Sequence, residues 1–197
     1  MNATLRRVVW IVALLNLAYF GVEFAVALRI HSVSLFADSV DFLEDASVNL
    51  LIAAALGWAA VARARLGMVL AGILLAPGIA TVWTALEKIH APVAPPPQPL
   101  SLTALGALAV NFSCAALLVR HRHKGGSLTR AAFLSARNDV LINIAILLVA
   151  GLTVYWRSFW PDLLLGLGIA ALNLDAAREV WEKAHEEHAA ARVETAG

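Results

Sequence analysis

The sequence predicts an all-α fold, a bundle of six transmembrane helices with both termini on the cytoplasmic side. Three observations lead there. Of 197 residues, 60% are hydrophobic and 15% charged, with a mean hydropathy of +0.75; a soluble globule of this size has too little interior to hide that much apolar surface. Apolar runs also recur at about 20 residues, the length an α-helix needs to cross the hydrocarbon. Finally, the basic residues alternate between connections. Arg6, Arg7, Arg63, Arg65, Arg120, Arg122, Lys124, Arg130, Arg178, Lys183 and Arg192 fall on one side, against Arg29, Lys88 and Arg157 on the other, with Arg137 inside a span. That bias puts the first group, and with it both termini, in the cytoplasm.

The spans read in order as Val8–Leu28, Ser34–Val61, Leu66–Leu86, Leu100–Val119, Leu128–Tyr155 and Pro161–Val180. The first follows Arg6 and Arg7, as a signal peptide would. Its apolar run continues without a small-residue cleavage site, which makes it a retained helix. The proline-rich stretch Ala91–Pro99 predicts a stiff extended loop between the third and fourth spans. Trp10, Trp58, Trp83, Trp156 and Trp160 fall near span ends, where an aromatic belt belongs. Residues 1–182 form the membrane domain and 183–197 a short cytoplasmic tail. In the tail His185 and His188 flank Glu186 and Glu187 on a solvated helix face. His121 and His123, in a basic loop, are too sparse for a metal-binding tract. The lone Cys114 excludes a disulfide framework or a cysteine zinc site and reads as a small core or lipid-facing residue.

Two spans are unlike the others. The second carries Asp38, Asp41, Glu44 and Asp45. Asp41 and Asp45 are one helical turn apart on a shared face, with Asp38 on the same stripe and Glu44 at its edge. Ionised carboxylates in low dielectric cost several kcal/mol each, unless they are protonated or share a cation. In the fifth span Ser135, Asp139 and Asn143 share a face at i, i+4, i+8, an oxygen-rich complement suited to a divalent cation. Arg137 beside them is expected either to pair with Glu44 or Asp38 or to take the cation's place. Asn16 and Glu23, two turns apart in the first span, and Asn173 and Asp175, ending the sixth, are explained as well by helix–helix hydrogen bonds as by a pathway.

On the six-span layout, the segment SVSLFADSVDFLED (Ser32–Asp45) and the polar start of span five, the chain resembles the cation diffusion facilitator family of divalent-metal/proton antiporters. The resemblance covers roughly residues 8–180. It implies a tetrahedral transport site in which Asp41 and Asp45 meet Asp139 and, at the position where the typical zinc transporter has His, Ser135. Three carboxylates and a hydroxyl are harder ligands than the family's usual set, leaving zinc, manganese, iron and cobalt all as candidate ions. Many members carry a C-terminal cytoplasmic domain, and here the sequence is similar to a short bacterial form without one.

The function expected is therefore efflux of a divalent metal cation coupled to proton antiport, in a multi-pass protein of the bacterial inner membrane. The substrates are the cation and the proton; a homodimer is implied by the resemblance, and neither a cofactor nor a nucleic-acid partner is expected. The alternative is a non-transporting accessory or sensor subunit whose acidic cluster Arg137 neutralises. An enzyme is not expected, because no nucleophile is paired with a base and no His falls within a span.

Overall fold

The computed structural model describes residues 3–54, 62, 65, 69, 79–119, 126–175, 178 and 182, with side chains for all of these except 3, 52, 54 and 126–134. Every regular element among the described residues is helical. The helices are α1 (Ala3–Ile30), α2 (Val33–Ala54), α3 (described over 79–90), α4 (Pro97–Val119), α5 (Gly126–Tyr155) and α6 (described over 160–175). The tail histidines His185 and His188, and His121 and His123, lie outside the described residues.

Burial is inverted relative to a water-soluble bundle. Leu14, Leu17, Leu105, Phe112, Leu148 and Leu164 are exposed, whereas Asn16, Glu23, Asp38, Asp45, Asn111, Asp139 and Asn143 are buried. An apolar outside around a polar inside is what a bilayer solvent selects, since a polar group facing hydrocarbon has no partner. Thr4–Ile30, Pro97–Val119 and Ser135–Tyr155 are each long and apolar enough to cross a membrane. α2 has the length, 22 residues, but four acids within it lower its hydropathy; the burial of Asp38, Asp41 and Asp45, with Glu44 partly buried, is what lets a helix so charged sit inside the bundle.

α1 packs on α2, α4 on α5, α1 on α4 and α2 on α5. One core cluster, with Ala27, Leu35, Phe36, Leu100, Ala104, Ile146, Ala150 and Ile169, draws on five helices. Its alanines let backbones approach closely. Aromatic rings fill the α1–α2 interface, with centroids 5.1 Å apart for Tyr19–Phe42 and 5.3 Å for Phe24–Phe36.

The α1–α2 connection is only two residues long and meets the first amides of α2 in full. His31 adopts a left-handed conformation (φ 54°), and Ser32 N donates to Ala27 O at 3.1 Å, a Schellman close for α1. Ser32 then caps α2, its Oγ accepting from Leu35 N at 3.2 Å, while Phe36 N reaches Ser32 O. The two remaining N-terminal amides, Val33 N and Ser34 N, donate to the Asp162 carboxylate from α6 at 2.9 and 3.3 Å. Gly166, one turn further along α6, makes this approach possible: a Cβ there would lie 2.6 Å from the Val33 carbonyl carbon.

The proline-rich loop is shorter than the sequence suggests. Only 91–96 are non-helical, and α4 begins at Pro97. Prolines are tolerated in a first turn because the amides they lack have no intrahelical acceptor there. The first intrahelical bond runs from Leu100 N to Pro96 O at 3.3 Å, just after the last proline.

Candidate cation site

α2 and α5 run antiparallel, and their polar faces meet in two places. Ser135 Oγ donates to Asp45 Oδ1 at 2.8 Å. Two turns along α5 in the opposite sense on α2, Asn143 Nδ2 donates to both oxygens of Asp38, at 2.9 and 3.1 Å. The i, i+4, i+8 spacing on α5 and the i, i+7 spacing on α2 produce this register, since seven or eight residues are two helical turns.

Between and beside these contacts lies a cavity of ≈ 200 Å³ lined by Asp41, Glu44, Asp45, Ser135, Asn138, Asp139, Ile142, Leu172 and Asn173. All four residues singled out as ligands, Asp41, Asp45, Asp139 and Ser135, are on its wall. The Asp45 and Asp139 carboxyls come within hydrogen-bonding reach of each other. One buried oxygen of Asp41, Oδ2, meets no donor among the described residues. Among the described residues, no group of three or more His, Cys, Asp and Glu side chains is already drawn together as a metal cage. The acids surround a shared space rather than a single point.

Asn16 of α1 supports the site from behind, its Nδ2 donating to Asp45 Oδ2 at 3.4 Å, with the Cys114 thiol donating in turn to Asn16 Oδ1 at 3.6 Å. Of the two places expected for it, core or lipid-facing, Cys114 takes the core, where it is linked to the polar residues. Asn173 of α6 reaches the Ala37 carbonyl at 3.2 Å while facing the cavity. Asp175 is exposed. Arg137 does not do what its position in the sequence suggests. It is exposed, its Nη2 donates to Asn138 Oδ1 at 3.3 Å, and it is not on the cavity wall. Among the described residues no ion pair joins it to Glu44, Asp38 or any other acid. Residue 137 falls two positions from both Ser135 and Asp139, about 200° round the helix, which turns it away from their face.

Sequence reasoning missed a second buried polar cluster, built on Asp162 at the α1–α2 end of the bundle. Asp162 has no exposed surface and accepts from Ser32 Oγ and Ser34 Oγ, each at 2.6 Å, besides the two amides. Lys88 Nζ lies 3.7 Å from it and donates to the His31 carbonyl. The three segments are far apart in sequence, so only the Ser-Val-Ser cap was there to be read. A larger hollow of ≈ 640 Å³ beside His31, Trp83, Lys88 and His90 is mostly apolar and touches none of the acids on α2 or α5.

A family model described as the cation efflux transmembrane domain matches residues 9–186. The chain belongs to that family: it is a membrane protein and a metal cation transporter rather than an enzyme. The search of curated proteins returns no match.

Proposed function

We propose that the chain exchanges a divalent cation for protons at the cavity between α2 and α5, with Asp41, Asp45, Asp139 and Ser135 as the cation's ligands. The observation that carries this reading is the one cavity that Asp41, Asp45, Asp139 and Ser135 line together, with a buried oxygen of Asp41 that meets no donor among the described residues. Buried carboxyls gathered round one small space need a proton or a cation among them, because like charges in low dielectric repel strongly. A place that is stable with either one, and unstable with neither, makes the two compete. Competition for one site, reached alternately from each side, is sufficient for antiport and uses no nucleotide. The oxygen-only donor set favours a harder ion over one selected by imidazole or thiolate, and the carboxyls' separation around the cavity would close as the cation draws them in.

The basic-residue bias supports an orientation in which the α1–α2 end faces away from the cytoplasm, in a multi-pass protein of the cell membrane. The accessory-subunit alternative loses its physical basis where Arg137 is exposed and unpaired with the acids. The reading is tested by calorimetric titration of purified protein with manganese, zinc, cobalt and iron(II). One of them should bind with protons released into the buffer, and Asp139→Asn should weaken that binding by about tenfold or more. Unaltered binding in Asp139→Asn would reject the site.

A further inference from the structure

Glu23, on α1, has no exposed surface, and neither Oε1 nor Oε2 meets any N–H or O–H donor among the described residues. Its neighbour is Asp38 on α2, also fully buried, whose carboxyl lies within hydrogen-bonding reach of it. The local donors are committed elsewhere. Tyr19 Oη, one turn before Glu23, donates to the Thr103 carbonyl at 2.6 Å, and Asn143 Nδ2 is spent on both oxygens of Asp38. Residues 66–80 of the third span contain no side-chain N–H or O–H at all. A buried carboxylate with neither donor nor cation is among the most costly groups a membrane protein can hold.

We propose that Glu23 and Asp38 form a proton-binding site, one proton shared between the two carboxyls, set apart from the cation cavity, and that the exchanged proton is held there. Size discriminates the ligand. Neither residue lines the cavity, neither is exposed, and both oxygens of Asp38 already accept from Asn143, so among the described residues the pair offers a metal ion fewer oxygens than the cavity does. A proton needs only the line between two oxygens. With it, the pair becomes an O–H···O⁻ hydrogen bond of the strong, charge-assisted kind.

The other ionisable groups around the pair are Tyr19 from α1, Asp41 from α2 and Asp139 from α5; α4 brings only Cys114, which sits at Asn16. No hydrogen bond joins Glu23 or Asp38 to Asp41, Asp45, Asp139 or Ser135 among the described residues. Asp41 nonetheless follows Asp38 by one turn and presents an unpartnered oxygen. It is placed to feel both the pair's proton and a cation in the cavity, so filling either lowers the cost of emptying the other.

The assignment as the exchanged proton rests on the antiport reading, whereas the existence of a shared proton does not. The test therefore has two arms. Infrared difference spectra of purified wild-type protein, recorded across a pH titration, should show a protonated carboxyl that disappears in both Glu23→Gln and Asp38→Asn. In proteoliposomes Glu23→Gln should keep cation affinity within about threefold of wild type, as removal of a neighbour that carries a proton changes little Coulomb energy, while its flux loses its response to a pH gradient. Loss of the same carboxyl signal from neither variant would overturn the proton site, even if wild type transports. Gradient-driven flux that persists in Glu23→Gln would overturn its role in exchange. Where wild type itself moves no cation, the infrared arm still decides whether the pair holds a proton, and the failure falls on the antiport reading alone.

Discussion

Ser135 Oγ donates to Asp45 Oδ1 at 2.8 Å, tying α5 to α2 at the position where the family's zinc-transporting pattern carries an imidazole. A hydroxyl there orients the carboxylate, but it is a weaker and harder ligand than a histidine nitrogen. In the proposed cation site, Ser135 would therefore be both a ligand and a link between the two helices.

Ser135→His restores the softer donor. It should raise affinity for zinc relative to manganese by about tenfold, read by competition between the two ions in calorimetry. Ser135→Ala removes the bond without adding a ligand and should weaken binding of both ions with little change in their ratio. An unchanged ratio in Ser135→His would show that residue 135 does not touch the ion.

Arg137 is exposed and outside the cavity wall. Arg137→Ala should leave cation binding and flux within about twofold of wild type, the scale of an exposed charge screened by solvent. A large gain of binding on its removal would instead revive the neutralised-subunit alternative.

Asp162 satisfies two α2 amides and two serine hydroxyls, all without exposure to solvent. Asp162→Ala strands those donors and leaves Lys88 without its ion-pair partner, at a cost of about 3–5 kcal/mol. Thermal unfolding in detergent should show a clearly lowered Tm. Asp162→Asn, which keeps an acceptor, should lose less.

Gly166 packs against the α2 backbone rather than against a movable side chain. Gly166→Ala should destabilise by about 1–3 kcal/mol through overpacking, whereas Gly168→Ala, whose Cβ would meet nothing within 4 Å, should be neutral or slightly stabilising. The difference in Tm between these two variants of one helix checks the close approach of α6 to α2.

The helices and the acidic face of the cavity were legible because both depend on local spacing. Apolar runs give the spans, and i, i+4 pairs such as Asp41/Asp45 and Ser135/Asp139 give a face whatever the helix packs against. The partner of each face is not a local property. Glu23 looked like one more helix–helix contact because nothing in the sequence says that it meets an acid rather than a donor. Asp162 and Lys88 were missed for the same reason: their roles depend on where the ends of three separate helices meet. Arg137 was misjudged by proximity in sequence, when two residues along a helix is nearly the opposite face. Pro97 and Pro99 read as loop because proline breaks helices in general, although the first turn is where it does not.

Binding of the transported cation by Asp45, Asp139 and their neighbours, in competition with protons, is open to direct test by cation flux into proteoliposomes bearing a pH gradient, comparing wild type with Asp45→Asn for zinc, manganese, iron(II) and cobalt. The account predicts flux of at least one ion that follows the gradient in wild type and is abolished in the variant. Flux in Asp45→Asn equal to wild type, still driven by the gradient, would contradict it.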